Sequence, residues 1–131
     1  MNIPIHLTEN DLQKLRILLH EAKTDPEQES ENLKQLEVEL DRAIVVEKET
    51  LPFGLVTMNS RAEMVDLSTG ESGTYTLVFP DDADIDDDRI SVLAPLGTAM
   101  IGYRTGDKFA WPAPGGTIRF RVGPILARNV R

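Results

Sequence analysis

Residues 90–102 read Ile90-Ser91-Val92-Leu93-Ala94-Pro95-Leu96-Gly97-Thr98-Ala99-Met100-Ile101-Gly102. The run opens with β-branched and aliphatic residues, which are typical of a short strand, and we place that strand at 89–93. Pro95 suits the first turn of a helix, and we place a helix at 96–102. A strand followed at once by a short helix is therefore expected in this part of the chain.

Short β-rich runs separated by turn residues lie on both sides of this unit, at 55–58, 62–67, 74–79, 108–111 and 117–122. The clearest turns are 68–71 and 114–116. In the last run Ile118, Phe120 and Val122 alternate with polar residues, so they share one face of a strand. The pattern predicts a small antiparallel sheet wrapped on one short helix, and with the N-terminal helices an α+β fold.

The N-terminal third predicts two antiparallel helices that form a short coiled coil. Apolar residues recur at helical spacing in two series: Leu12, Leu15, Leu19 and Ala22, then Leu33, Leu36, Leu40 and Ala43. Thr8 followed by Asp11 is a start signal for the first helix. Asp25 and Pro26 predict a second helix from about 26 to 46. We place the hairpin at 1–50 and the sheet domain at 51–131, because residues 51–54 break the helical pattern.

Composition excludes several classes of protein. The 131 residues include 22 acidic and 14 basic side chains, a net charge of −8, and no cysteine. Disulfides and thiolate chemistry are thus excluded, and sequence-specific nucleic-acid binding is not expected of so acidic a chain. Any contact with DNA is expected to be weak or indirect. No apolar run approaches the ~18 residues of a membrane span. We expect a soluble, cytoplasmic monomer.

The charge is uneven along the chain. Residues 1–52 carry 12 acidic and 6 basic side chains, a net −6, whereas residues 53–131 carry 10 and 8, a net −2. The acidity therefore belongs mainly to the predicted hairpin.

An acidic run at 81–88 contains six Asp in eight positions and invites a calcium interpretation. An EF-hand loop that began at Asp82 would carry Asp87 where Gly is required and Leu93 where Glu is required. We expect a solvated loop, with incidental divalent binding as the alternative. His6 and His20 show no metal-ligand spacing. The sequence predicts no catalytic residue, metal site or cofactor.

The predicted hairpin tip carries a second acidic group, which includes Asp25, Glu27 and Glu29. One interpretation is structural: Asp25 caps the second helix, and the two glutamates favour the positive end of its dipole. The other is that the tip carries carboxylates to a distant metal ion or basic pocket.

The C-terminal half resembles that of the bacterial Gre transcript-cleavage factors and, more closely, of the Rnk family, the regulators of nucleoside diphosphate kinase. The resemblance rests on residues 56–61, 66–71, 75–80, 90–102, 106–107 and 114–116, which keep their order and spacing through 54–126. Residues 40–43 also look Rnk-like. One departure is that Leu93 and Ala94 stand where Gre factors often carry polar residues.

This resemblance implies an FKBP-like C-terminal domain behind a coiled coil. It also implies a partner, bacterial RNA polymerase, bound at the rim of its secondary channel through the β′ coiled coil. The docking residues that it implies are Ser91, Leu93, Pro95, Leu96, Gly97 and Met100. The alternative is that Leu96, Ala99 and Met100 only pack the helix on its sheet, and both roles can hold on different faces.

The function expected from the resemblance is that of a non-enzymatic transcription regulator, which competes with Gre-type factors without stimulating transcript cleavage. A first helix of about 15 residues gives a rod of roughly 22–25 Å. Gre coiled coils are about twice as long and carry two tip carboxylates that hold a magnesium ion. The alternatives are a cleavage factor that uses such carboxylates and, from the FKBP-like fold alone, a prolyl isomerase. Whether any effect on nucleoside diphosphate kinase is direct stays open.

Overall fold

The computed structural model describes residues 4–28, 30–51, 54–113 and 115–128. Its first helices are α1, Glu9–Ala22, and α2, Ser30–Arg42. Thr8 caps α1 as predicted, since its Oγ1 accepts a hydrogen bond of 3.1 Å from the Asp11 N–H. Leucines of both predicted series are buried between the helices and the sheet.

The helices are antiparallel, as the sequence predicts. Arg16, early in α1, pairs with Asp41, late in α2, at 3.1 Å. Lys23, just after α1, pairs with Glu37 further back along α2. The predicted hairpin is therefore confirmed.

The predicted bounds of the second helix are wrong at both ends. At its start, the Asp25 carboxylate accepts the Glu27 N–H at 2.9 Å and the Asp25 carbonyl accepts the Gln28 N–H at 3.2 Å. These bonds close a turn, so the helix begins only at Ser30. Asp25 is consequently not the cap of α2.

At the other end of α2, tertiary pairing replaces the predicted helix. Strand β1, His6–Thr8, and strand β2, Ile44–Val46, form a two-stranded parallel sheet. The β-branched residues of β2 suit a strand, but its partner is nearly 40 residues away in sequence. A local pattern does not reveal such a partner.

The C-terminal part forms a five-stranded sheet in the order β5-β4-β3-β7-β6. Its strands are β3, Ser60–Asp66, β4, Ser72–Val78, β5, Arg89–Ser91, β6, Lys108–Ala113, and β7, Gly116–Arg128. All neighbours are antiparallel except β4 and β5, which run parallel. The predicted α+β fold is confirmed, with one parallel strand at the sheet edge.

The strand predicted at 55–58 is wrong. Leu55 makes only an isolated bridge with Arg104, and the Val56 N–H binds the Tyr103 carbonyl at 2.8 Å. Residues 56–59 then turn into β3. Single-turn 3-10 helices occur at Lys48–Thr50, Pro80–Asp82 and Ile85–Asp87.

One short helix, α3, Pro95–Met100, lies against the sheet, and its position confirms the predicted strand–helix unit. The hydrophobic core is continuous from the hairpin to the sheet and includes Leu15, Leu36, Met64, Met100 and Trp111. The division at residues 50 and 51 stays a prediction. Within the described residues, no helix combines the length and the apolar character needed to cross a bilayer.

Candidate docking site

The segment from Ser91 to Leu96, called here the docking loop, runs from the last residue of edge strand β5 to the second residue of α3. Ser91 shapes it with two bonds: its Oγ accepts the Leu93 N–H at 3.0 Å, and its carbonyl accepts the Ala94 N–H at 3.0 Å. The loop therefore turns tightly and delivers Pro95 to the first position of α3, where a missing N–H costs nothing.

Gly97 allows α3 to pack directly on this turn. A Cβ placed on Gly97 would lie 2.0 Å from the Ser91 carbonyl oxygen, far inside van der Waals contact. The chain therefore needs glycine here because of the close approach of two backbones. The glycine at the third position of α3 is therefore explained by packing.

A buried asparagine ties the hairpin to the docking loop. Asn32 on α2 is only 3% exposed. Its Nδ2 donates to the Leu93 carbonyl at 2.8 Å and to Thr98 Oγ1 at 2.9 Å, while its Oδ1 accepts Trp111 Nε1–H at 2.8 Å. One side chain of the N-terminal hairpin thus fixes the loop, α3 and β6 relative to one another.

The orientation of that amide is settled by its partners. Trp111 Nε1 can only donate, and the Leu93 carbonyl can only accept, so Oδ1 must face the indole and Nδ2 the loop. Thr98 Oγ1 accepts a hydrogen bond from Asn32, and its own O–H donates to the Val92 carbonyl at 2.6 Å or to the Ala94 carbonyl at 3.0 Å. Such a buried network stabilises one geometry when every member has a partner.

The residues predicted to dock divide into two groups. Ser91, Leu93, Pro95 and Leu96 are partly exposed, whereas Gly97 is buried and Met100 is 0% exposed. Met100 therefore belongs to the core, in agreement with the packing alternative for that residue. Leu93 and Leu96 also contact the core with part of their surface. Of the six predicted docking residues, only Ser91, Leu93, Pro95 and Leu96 therefore offer surface that a partner can contact.

The predicted hairpin tip is exposed at Asp25 and Glu27, while Glu29 lies outside the described residues. Within the part of the chain that the structure describes, no three His, Asp or Glu side chains come together as a metal site. The described carboxylates of the tip, those of Asp25 and Glu27, are thus solvated, and the Asp25 carboxylate also closes a turn.

Residues 81–88, called here the acidic loop, lie beside the docking loop and are all exposed. Asp84 Oδ1 accepts the Asp86 N–H at 3.1 Å, and Asp88 takes a left-handed conformation with φ 53°. The Asp84 and Arg89 backbones exchange two bonds of 2.9 Å, which hold the loop against β5.

Two carboxyl groups, the half-buried Asp11 and the buried Glu39, lie where the hairpin meets the sheet domain. Burial raises the pKa of Asp11, opposed by the Met58 N–H that donates to its Oδ2 at 3.3 Å. Burial also raises the pKa of Glu39, opposed by Arg42 at 3.6 Å. Burial likewise raises the pKa of Tyr103 well above its usual range.

Sequence reasoning missed Asn32, which organises the site. The available signal was small: a polar residue directly before Leu33, the first residue of an apolar series, and a lone tryptophan with one N–H that needs an acceptor. Neither the position of Asn32 nor the lone Trp111 reveals from the sequence that these two residues bond to each other.

The structure combines a helical hairpin, a mixed sheet and a loop that delivers Pro95 to the start of α3. Residues 51–126 match the family model "Transcription elongation factor, GreA/GreB, C-term", and residues 4–46 match the model "Rnk N-terminus". The chain therefore belongs to the GreA/GreB family, and its N-terminal part is of the Rnk type. Both matches confirm the resemblance drawn from the sequence.

Known relatives agree with this assignment. The chain is 44% identical over 81 residues to the regulator of nucleoside diphosphate kinase of Escherichia coli K12, a match that covers 62% of this chain and 60% of the relative. It is 38% identical over 91 residues to the transcription elongation factor GreA of Methylococcus capsulatus, and this match covers 69% of this chain and 58% of that relative. These alignments thus span less than two thirds of either relative.

A solved structure matches over nearly the whole chain. The prokaryotic transcription elongation factor GreA/GreB from Nitrosomonas europaea superposes with a TM-score of 0.73 at 36% identity, covering 95% of this chain and 99% of that one. The match includes hairpin and sheet together.

Proposed function

We propose that this protein is a non-enzymatic transcription regulator that binds bacterial RNA polymerase at the rim of the secondary channel. It docks through Ser91, Leu93, Pro95 and Leu96 on the β′ coiled coil and competes with Gre-type factors. The observation that carries the proposal is the fixed shape of the docking loop in this member of the GreA/GreB family. Hydrogen bonds from both halves of the chain, from Asn32 Nδ2 and to Ser91 Oγ, hold that shape. It acts as a monomer in the cytoplasm.

The chemistry of the loop supports docking on a helix. Leu93, Pro95 and Leu96 offer apolar surface at a fixed turn, and preformed apolar anchors carry much of the energy of protein interfaces. The net charge of −6 on residues 1–52, which include the hairpin, suits entry into a channel that attracts acidic groups.

Hairpin length supports the absence of cleavage activity. The 14 residues of α1 and 13 of α2 give rods of about 21 and 20 Å at 1.5 Å per residue. These rods are slightly shorter than the roughly 22–25 Å expected from the sequence. The resemblance to Gre factors implies that a coiled coil must be about twice as long to reach the polymerase active site. A tip that stops short acts by occupancy rather than by chemistry.

Neither alternative gains support from the described residues. A cleavage factor needs tip carboxylates that converge on a metal ion, and Asp25 instead closes a turn. A prolyl isomerase needs an aromatic pocket, but Tyr103, Phe109 and Phe120 stack on one another at centroid distances of 5.1 and 6.1 Å. Tyr103 and Phe109 are buried in the core.

The direct experiment measures binding to core RNA polymerase. Pro95→Glu places a charge on the docking surface at a helix position that tolerates glutamate, and should abolish binding. Pro124→Glu adds the same charge at an exposed proline of β7 and serves as the control. Met100→Glu is unsuitable, because it would bury a charge in the core. Equal binding by Pro95→Glu and wild type would remove the docking claim.

A further inference from the structure

A shallow apolar groove of about 420 Å³ lies between the acidic loop and the docking loop. Tyr75, Ile85, Ile90 and Leu96 supply its apolar lining. Leu96 belongs to the docking loop, so the groove continues the docking surface toward the sheet edge. A space of this size accommodates large apolar side chains of a partner.

Ile85 is the most unusual residue of this groove. It stands at the centre of the acidic loop and is 89% exposed, the highest value among the exposed large hydrophobic residues of the described chain. Exposed isoleucines are ordinary when isolated, but this one borders an apolar groove beside a docking loop. Covering it would remove a large apolar side chain from water.

The rim of the groove is strongly acidic. Asp84 and Asp88 line it, and the exposed Asp86 and Asp87 flank it. Arg89 is the basic residue among those that line the groove, and its Nε is buried with no hydrogen-bond acceptor in the described chain.

The sheet edge beside the groove disfavours an added strand. The Arg89 N–H and carbonyl both bond to the Asp84 backbone at 2.9 Å, so the start of edge strand β5 is already paired. Strand addition needs free edge groups. A partner segment in this groove is therefore held through side-chain contacts rather than by added strand pairing, and a helix binds in that way.

We propose that this groove receives a helix of the partner that presents a large apolar side chain flanked by Lys or Arg residues. The apolar side chain packs on Ile85, Tyr75 and Leu96, and the basic residues face the acidic rim. A second copy of this chain does not fit, because its net charge is −8. The inference rests on the proposed function and states the chemistry of the polymerase helix that docks.

The test measures the affinity of core RNA polymerase for Ile85→Ser and for a matched control, Leu126→Ser. Leu126 is also exposed, at 55%, but lies on β7, three positions away from β5 in the strand order. We expect Ile85→Ser to bind about 10- to 100-fold more weakly, from the loss of one buried aliphatic side chain. Leu126→Ser should bind within twofold of wild type.

A double variant, Asp86→Asn with Asp87→Asn, tests the charge of the partner. Neither side chain makes a hydrogen bond that shapes the loop in the described structure, so the fold should be kept. The variant should show a shallower dependence of log Kd on log salt concentration, because two attractive charges are removed. An unchanged slope would overturn the assignment of a basic partner helix.

The possible failures are distinguishable. If wild type binds and Pro95→Glu does not, while Ile85→Ser binds as wild type, the groove inference is wrong and the proposed function stands. If wild type itself does not bind core polymerase, the proposed function is wrong.

Discussion

Removing the Asn32 side chain should destabilise the protein far more than removing any exposed amide. Asn32→Ala deletes two buried hydrogen bonds and one part-buried hydrogen bond, and it leaves the Trp111 N–H and the Leu93 carbonyl without their partner. Thr98 keeps acceptors for its hydroxyl proton. Each stranded buried group costs about 1–3 kcal/mol, so the expected loss is about 2–6 kcal/mol. This is a large share of the ~5–15 kcal/mol typical of a domain.

Urea unfolding measures this loss directly. Trp111 is the single tryptophan of the chain and is 1% exposed, so its fluorescence reports the network, with circular dichroism as an independent probe of the helices. Gln13→Ala is the control, because the Gln13 amide bonds Glu9 at 3.0 Å on the exposed face of α1. It should cost no more than about 0.5 kcal/mol.

Asn32→Ala should also change the local dynamics of the docking loop. Because the Leu93 carbonyl loses its donor, amide exchange in the docking loop should accelerate more than exchange in β3, at the centre of the sheet. A stability within about 0.5 kcal/mol of wild type, with loop exchange unchanged, would refute the account of this network.

Three further changes have expected outcomes. Gly97→Ala should lower the free energy of unfolding in urea by at least the about 1–3 kcal/mol that is typical of overpacking, because its Cβ would lie 2.0 Å from the Ser91 carbonyl oxygen. The same change should impair polymerase binding. Glu39→Gln should stabilise the protein at pH 7: its raised pKa means that the folded state holds the proton more tightly, so wild-type stability falls as pH rises through the range just above 4.5. Thermal unfolding of both proteins at pH 4 and pH 7 should show the advantage shrinking toward acid. Thr8→Ala should cost about 1 kcal/mol in urea, through the lost bond to the Asp11 N–H.

Features that depend on near neighbours in sequence could be predicted well. Thr8 and Asp11 lie three residues apart, and their capping bond follows from that spacing. The alternation of Ile118, Phe120 and Val122 likewise sets one face of β7. Pro95 marked the start of α3, because proline suits that position in any short helix.

Features that depend on distant partners were missed. The pairing of His6–Thr8 with Ile44–Val46 shortened α2, and no periodicity within either segment reveals it. Asn32 meets Leu93, Thr98 and Trp111 across 61 to 79 residues of sequence. The prediction for Met100 illustrates the same limit, since an apolar residue in a docking motif can face the core or a partner.

Transcript cleavage in a backtracked elongation complex tests the central claim most directly. The protein alone should produce no cleavage above background, and added to a Gre-type factor it should suppress the stimulated cleavage in proportion to its concentration. Pro95→Glu should lose that suppression, while Pro124→Glu should keep it. Cleavage stimulated by this protein alone, or Gre-stimulated cleavage that is unchanged by excess wild type, would contradict an occupant of the secondary channel that lacks cleavage activity.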